Sequence, residues 1–281
     1  MNRILVPVNL RSTDPNVLKY AASVGLRSGA EITLFYCGGR RLFKGNGHLE
    51  FSSSQPVGTL LAQVRGQRQK QALQTVLSDL NKQGISYRIK TVKRRSHTEI
   101  IRESRLQDYD LLIMGSESSS RWDQYWGHSL ANRVIGSVAV PAFVVPSASR
   151  FNDIQHITYA VDLSDYDPMI IQQVKAIARL FDAKLSITHV NMETQPEQKE
   201  QYLKTLEQTI SDTIDYPKIY YKFFDHADPL GGIVKFVDLN NSNLVAMITR
   251  KKFSWRESLG EKSLTRKLAA RVSVPILAFH K

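Results

Sequence analysis

Gly115 and Ser129 are the residues of this chain whose types and spacing best suit phosphate binding. An apolar run at 111–114 leads into Gly115, and a helical pattern, SLANRVI, begins at Ser129. Glycine lets the backbone approach a bound phosphate, and the N–H groups and hydroxyl at the start of a helix bind anions. A strand–glycine–helix junction of this kind predicts a phosphate site.

The loop between these two residues carries bulky side chains that a phosphate site does not need. Its sequence, GSESSSRWDQYWGHS, includes Trp122, Tyr125 and Trp126. One interpretation is that a ring stacks on a nucleotide base. The other is that the rings fill the phosphate cleft, which would bury apolar surface worth about 1.5–3 kcal/mol for each large side chain. The rings lie at the phosphate end of the predicted site, which favours filling.

The composition is that of a globular protein without a membrane span. No apolar run approaches the roughly 20 residues that a spanning helix needs, and the opening MNRILVPVNL is too short and interrupted for a signal peptide. The single cysteine, Cys37, excludes an internal disulfide framework and fits a reducing compartment. We therefore expect a cytoplasmic protein that does not associate with membranes.

The net charge of +12 is concentrated in the first half of the chain. Residues 1–150 contain 21 Lys and Arg against 10 Asp and Glu, whereas residues 151–281 contain 17 against 16. A basic surface attracts nucleic acid or small anionic ligands. No RNP-like or aromatic-interleaved motif accompanies the basic residues. A solvated basic face is therefore the favoured interpretation, and a nucleic-acid partner is not.

The chain repeats one sequence plan. ILVPVN at 4–9 and ITYAVD at 157–162 open the two halves at an offset of 153 (162 − 9). VPAFVV at 140–145 and VPILAF at 274–279 close them at an offset of 134 (274 − 140). Because the offset shrinks, the first half is longer in its middle, and the extra length falls in the segment GGRRLFKGNGHLEFSSSQPVG. Its Gly, Ser and Pro content predicts a mobile loop.

Each half alternates short apolar, β-branched runs with helical patterns. Such runs are typical of parallel strands covered on both faces, and right-handed crossovers then give a doubly wound sheet. The prediction is two repeated Rossmann-like α/β domains, 1–148 and 152–281, each with a five-stranded parallel sheet. Ligands of such sheets bind beyond the carboxyl ends of the strands. The residues predicted at those ends are Asn9 and Gly115 in the first half, and Asp162 and Thr249 in the second.

Taken together and in this order, these pieces resemble a tandem universal stress protein over essentially the whole chain. The resemblance is carried by ILVPVN and ITYAVD, by DYDLLIMG, and by the closing SLANRVIGSVAVPAFVVP and SLTRKLAARVSVPILAF. It implies two domains of the adenine nucleotide alpha hydrolase-like fold, which commonly pair through their last strands. The two halves would then form a pseudo-dimer within one chain, and a homodimer of whole chains stays open. ATP is the cofactor that the resemblance implies, because some members of the family bind it.

Members that bind ATP have an aspartate at the end of the first strand and the motif G-x2-G-x9-G-(S/T) after the fourth. In the first half, Gly115 and Ser129 match the ends of that motif. The departures are Asn9 in place of the aspartate, Ser118 and His128 in place of the second and third glycines, and Gly127 one position early. The glycines that admit phosphate are therefore partly replaced by side chains.

The second half departs in the opposite way. Asp162 is present, but the loop reads TRKKFSWRESLGEKS. Thr249 or Ile248 replaces the first glycine, Lys252 or Lys251 the second and Lys262 the third, while Ser263 matches the end. Asp162, Ser129 and Ser263 are also good helix caps, and Arg250 with the lysines after it could hold an anion or lie in solvent. Trp255 stands nearly where Trp122 does, with the same two interpretations.

The sequence predicts neither catalytic residues nor a metal site. It lacks a Walker loop, an H-x-x-E metal pattern, a Cys/His pairing and a nucleophile elbow. We therefore expect not an enzyme but a stress-response accessory or interaction module with weak or absent ATP binding. The alternative is an ATP-binding regulatory protein with one functional cleft in the first half, where Gly115 and Ser129 lie beside the basic surface.

Overall fold

The computed structural model divides the chain into two compact units, residues 1–147 and 148–281. It describes residues 1–8, 14–37, 43–44, 49–92, 97–106, 108–116, 134–161, 167–191, 201, 204, 207–208, 210, 214–249, 264–269 and 271–280. None of the helices described is both long and apolar enough to cross a membrane.

The first unit is a doubly wound sheet. Its strands are β1 (Arg3–Val8), β2 (Glu31–Cys37), β3 (Leu49–Ser52), β4 (Tyr87–Val92), β5 (Leu111–Gly115) and β6 (Ala142–Val145). Their order is β3-β4-β2-β1-β5-β6, and every pair is parallel except β3 with β4. The helices are α1 (Pro15–Ser28), α2 (Val57–Gln63), α3 (Gln67–Lys82) and α4 (His97–Leu106).

The second unit repeats this arrangement without an antiparallel strand among its described residues. It comprises β7 (His156–Ala160), α5 (Pro168–Phe181), β8 (Lys184–Asn191), β9 (Ile219–Asp225), α6 (Pro229–Leu239), β10 (Leu244–Thr249), α7 (Leu264–Ala269) and β11 (Ile276–His280). The strands lie in the order β11-β10-β7-β8-β9 and are all parallel. The predicted Rossmann-like α/β fold is confirmed. The first unit differs from the predicted five parallel strands by the added antiparallel strand β3.

The repeat is visible in the strand register. Arg3 of β1 pairs with Glu31 of β2, and His156 of β7 pairs with Lys184 of β8. His156 follows Arg3 by 153 residues (156 − 3), and Lys184 follows Glu31 by the same number (184 − 31), which is the offset between the opening runs of the two halves. The inner strands form the cores. Ile4, Leu5 and Val6 of β1 are fully buried, as are Ile157 and Tyr159 of β7, because helices of a doubly wound sheet cover both of its faces.

The longer middle of the first unit is not a loop throughout its described residues. The segment predicted as a mobile loop contains β3 and the start of α2, and Phe43 and Phe51 are 1% and 5% exposed. Phe51 is buried because β3 pairs with β4 and turns this side chain inward, and Phe43 contacts Tyr36 edge-on at 6.2 Å between ring centroids. The two phenylalanines therefore anchor the described part of this segment, although its Gly and Ser content gave no sign of it.

Candidate functional site

Gly115 ends β5 at the carboxyl edge of the first sheet. Its strand lies between β1 and β6, and Gly115 is opposite Val145 in the register with β6. The next residue, Ser116, donates its N–H to the Val145 carbonyl at 2.8 Å and accepts the Ser147 N–H on Oγ at 3.2 Å. The backbone that leaves β5 is therefore held in place just before the predicted phosphate loop.

The first turn of α1 closes over Gly115. A Cβ added at Gly115 would lie 3.4 Å from Val17 Cγ2 and would meet little else, since the next atom is the Val145 oxygen at 4.0 Å. Alanine would therefore fit here in ordinary van der Waals contact, whereas a larger side chain would collide with α1. Glycine keeps the space between β5 and α1 open at the strand end.

In the second unit the strand register makes Ile248 the counterpart of Gly115. Leu111 pairs with Ile4 of β1, and Leu244 pairs with Ile157 of β7, so Leu244 of β10 is the counterpart of Leu111 of β5. Counting along the two strands from this pair places Ile248 at the position of Gly115 and Thr249 one position later. Thr249 is 5% exposed and lies opposite His280 of β11. A branched side chain thus stands where the first unit has none.

An aspartate caps the first crossover helix of each unit. Asp14 accepts the Asn16 N–H at 2.8 Å, and Asp167 accepts the Met169 N–H at 2.9 Å. Each carboxylate takes up an N–H group that a bound anion would otherwise receive, and its negative charge opposes a second anion there. The starts of α1 and α5 are therefore poor phosphate sites.

The other predicted site residues lie outside the described residues. They are Asn9, Ser118, Gly127, His128, Ser129, Asp162, Arg250 and Ser263, together with Trp122, Tyr125, Trp126, Lys251, Lys252, Trp255 and Lys262. Of the predicted set, the structure describes Gly115 and Thr249, one in each unit. The roles assigned to the remaining residues stay predictions. Among the described residues, no group of three or more His, Cys, Asp or Glu could hold a metal ion.

A buried ionic cluster in the first unit was not anticipated. Glu103 of α4 is 3% exposed, and its Oε1 accepts from Lys90 Nζ and from the Tyr109 hydroxyl, each at 2.9 Å. Burial raises the pKa of the Tyr109 hydroxyl, and the charge of Glu103 adds to the rise, so this phenol stays protonated and donates. The three residues come from β4, α4 and the turn before β5. The one signal of this cluster in the sequence is Glu103, an acidic residue on the face of α4 that is buried.

A second polar cluster lies in the second unit, at the amino end of β7, whereas the candidate site residues lie at the carboxyl ends of strands. His156 Nδ1 is 2.6 Å from the Asn240 carbonyl, to which it must donate, and Nε2 is 2.8 Å from Ser186 Oγ. Burial lowers the pKa of His156 below its usual value, although the Asn240 hydrogen bond offsets part of the shift. The neutral ring therefore joins β7 to β8 and to the end of α6. We interpret this cluster as structural, because ligands of this fold bind at the carboxyl ends of strands.

The parallel sheets, crossover helices and open strand end at Gly115 define a doubly wound α/β protein of the Rossmann-like class. The chain belongs to the universal stress protein family, since the model of that family matches residues 1–146. The family predicted from the sequence motifs is therefore confirmed. A comparison with curated protein sequences gave no significant match.

Solved structures share this fold over the whole chain. A universal stress protein from Archaeoglobus fulgidus DSM 4304 is 18% identical with a TM-score of 0.70, covering 100% of this chain and 96% of its own. A functionally unknown protein from Pseudomonas aeruginosa PAO1 is 14% identical with a TM-score of 0.63, covering 100% and 92%. The cytoplasmic domain of a prokaryotic cation chloride cotransporter is 13% identical with a TM-score of 0.52, covering 99% and 94%. Similarity at these identities supports the fold alone.

Proposed function

We propose that this universal stress protein is a cytoplasmic, non-enzymatic accessory module that acts through interaction with a partner and binds ATP weakly or not at all. The observation that carries the proposal is Ile248 at the register position of Gly115. An isoleucine at that strand end places a branched side chain where a phosphate would have to approach the backbone. This replacement supports weak or absent phosphate binding at the strand end of the second unit.

Departures in the first unit support the same conclusion. Asn9, Ser118 and His128 replace the aspartate and the two later glycines of the ATP motif, and the loop adds three aromatic rings. Each of these changes removes a favourable contact with a triphosphate or adds a repulsive one.

We further propose domain boundaries at 148 and 152 and pairing of the two halves within one chain, as the family resemblance implies. The molar mass in solution tests whether whole chains also pair. A full-length chain that pairs within itself should elute as a monomer of 31.9 kDa in light scattering. A stable mass twice as large would show that whole chains also pair.

Calorimetric titration of the full-length protein with ATP and Mg²⁺ tests the absence of tight binding. We expect no measurable heat at micromolar ATP concentrations. A dissociation constant in the micromolar range for either unit would contradict the proposal. The related ligands ADP and AMP, titrated in the same way, would show whether a smaller phosphate group fits where a triphosphate does not.

A second candidate function is an ATP-binding regulator with one working cleft in the first unit. It is favoured by Gly115, whose lack of a side chain leaves space beneath the first turn of α1. If calorimetry detects ATP, Gly115→Leu should abolish binding, because leucine fills that space. Gly115→Ala is the matched control, since its methyl group would lie 3.4 Å from Val17 and should leave binding within about threefold. Equal affinity of the two variants would exclude this site.

A further inference from the structure

The first unit contains a cavity that the predicted nucleotide site does not include. It has a volume of about 360 Å³ and is lined mainly by Glu50 of β3, Lys90 and Val92 of β4, and Arg102, Glu103 and Leu106 of α4. This volume is at the lower end of the range for small-molecule sites. In the sheet order β4 is three strands from β5, so the cavity lies roughly 14 Å from Gly115, at about 4.8 Å per strand.

A fixed ammonium group forms one wall of the cavity. Lys90 Nζ is 2.9 Å from Glu103 Oε1, and the Lys90 side chain is 18% exposed. The Glu103 side chain is 4% exposed, and its Oε1 also accepts the Tyr109 hydroxyl, so two hydrogen bonds hold the carboxylate in place. Lys90 is therefore held in one position and keeps hydrogen-bond donors that Glu103 does not use, because an ammonium group has three.

The second carboxylate near Lys90 is held only loosely. Glu50 Oε1 is 3.6 Å from Lys90 Nζ, beyond a normal hydrogen bond, and the Glu50 side chain is 63% exposed. A second cation, Arg102, is 61% exposed and is held by Glu99 one helical turn away at 2.6 Å. An incoming anion could displace Glu50 from Lys90 and bring Arg102 to its other side.

Among the residues that the structure describes, the remaining wall is apolar, and one of its side chains is exposed. Val92 is 5% exposed at the end of β4, whereas Leu106, at the end of α4, is 64% exposed. A ligand with a short hydrocarbon body would cover Leu106 while its charged head contacts Lys90. Such burial is worth about 25 cal/mol per Å² of apolar surface.

We propose that this cavity binds a small organic anion, a carboxylate or phosphate monoester with a short apolar body. Lys90 binds the head in place of Glu50, Arg102 provides the second positive charge, and Val92 and Leu106 contact the body. The inference rests on the fold of the first unit and is independent of the proposed ATP function. It concerns a ligand that reaches β4 and α4 rather than the strand end at Gly115.

The probes that test this proposal are octanoate and octyl phosphate, with octylamine as the cation of equal length. Each is titrated, below its micelle concentration, into the full-length protein with ¹³C-labelled Leu and Val methyl groups, and binding is followed by NMR. We expect saturable shifts at Val92 and Leu106 with either anion and none with octylamine. The anion that binds with the higher affinity identifies the preferred head group. Equal shifts with octylamine, or shifts confined to other methyl groups, would overturn the proposal.

Two glutamate variants distinguish anion binding in the cavity from a general effect of the protein's net charge. Glu50→Gln removes the competing carboxylate and should tighten octanoate binding about threefold to tenfold. Glu31→Gln is the matched control, because Glu31 pairs with Arg88 of the same strand as Lys90 at 3.3 Å but does not line the cavity. Both substitutions add the same charge. An equal effect of the two would show that the anion responds to net charge and not to this site.

Removal of the cations completes the test. Arg102→Gln lies on the surface and should weaken octanoate binding severalfold without affecting folding, and Lys90→Met should weaken it at least about tenfold. Lys90→Met leaves Glu103 with the Tyr109 hydroxyl, and circular dichroism checks that this variant folds. Excess ATP should leave octanoate affinity unchanged, because the strand end at Gly115 is separate from this cavity, so that failure here is distinguishable from failure of the proposed function. Undiminished binding to Arg102→Gln and to folded Lys90→Met would refute the assignment.

Discussion

Asp14 and Asp167 hold the same position in the two halves of the chain. Each carboxylate caps the first helix of its unit by accepting the N–H two residues later, at 2.8 Å and 2.9 Å, and each is followed by a proline at the first helical position. Proline has no N–H to leave unsatisfied at this position, and its fixed φ suits the helix start. The repeat thus preserves the start of the helix even where the neighbouring ligand motif differs.

These caps should contribute equally to the two units. Asp14→Ala and Asp167→Ala are each expected to lower the free energy of unfolding of their own unit by about 1 kcal/mol. Urea unfolding followed by circular dichroism measures the change. The control is Asp215→Ala, an exposed aspartate outside the described helices, which should alter stability by less than about 0.5 kcal/mol. An equally small effect of Asp14→Ala would show that the cap hydrogen bond adds nothing.

The ends of the same helices predict opposite responses to substitution. Gly29 ends α1 at φ 70°, and Asp182 ends α5 at φ 51°, both in the left-handed region. A Cβ at Gly29 would meet nothing within 4 Å, so Gly29→Ala should cost about 1 kcal/mol from backbone conformation alone.

Asp182→Gly should relieve the corresponding strain in α5 and raise the free energy of unfolding. Asp182 also pairs with Lys218 at 2.6 Å on the surface, and Asp182→Asn isolates the loss of that charge while keeping the left-handed residue. Thermal unfolding of the two variants gives the comparison. A lower stability for Asp182→Gly than for Asp182→Asn would contradict the strain argument.

Close packing predicts a further contrast between two glycines. A Cβ at Gly232 of α6 would lie 2.5 Å from Val190 Cγ1 and 3.0 Å from His226 Cβ, so Gly232→Ala should destabilise the second unit by about 1–3 kcal/mol. Gly58 of α2 faces open space, and Gly58→Ala should be stabilising by up to about 1 kcal/mol. Chemical unfolding of both variants measures the difference. Similar values for the two would contradict the close approach of α6 to β8.

His156 should make the stability of the second unit depend on pH. Burial lowers its pKa in the folded chain, so the unfolded chain binds the proton more tightly. The stabilisation is therefore complete above the unfolded pKa of about 6.5 and is lost as the pH falls toward the lower folded pKa. His156→Gln cannot titrate and should show a flatter decline of unfolding free energy between about pH 7.5 and pH 5. Parallel profiles for the two proteins would rule out this contribution.

The architecture was predictable because its sequence signals are local and occur in both halves of the chain. The apolar runs that became β1 and β7 open each half, and the constant offset to the next strand matches the observed register of Arg3 with Glu31 and of His156 with Lys184. A pattern that recurs at a fixed spacing is a strong signal, since one misjudged element is corrected by its copy. The doubly wound fold and the family followed from it.

Features that depend on distant pairing were not predictable. The strand β3 is short and is defined by its pairing with β4, which lies much later along the chain. The contact of Lys90 with Glu103 and Tyr109 joins three elements and has no spacing signature. At the candidate site, the sequence left Ile248 and Thr249 as alternatives for the first motif glycine. Only the strand register aligns Ile248 with Gly115.

The short strand β3 affects how readily the sheet edge of each unit associates with other protein chains. It satisfies the outward-facing backbone groups of β4, whereas β9, which follows β8 as β4 follows β2, has β8 as its one strand partner in the described parts of the second unit. Backbone groups at a sheet edge pair readily with foreign strands. The longer first half thus carries its own protection against unwanted association, and selection against aggregation should act more strongly on the sequence of β9 than on that of β4.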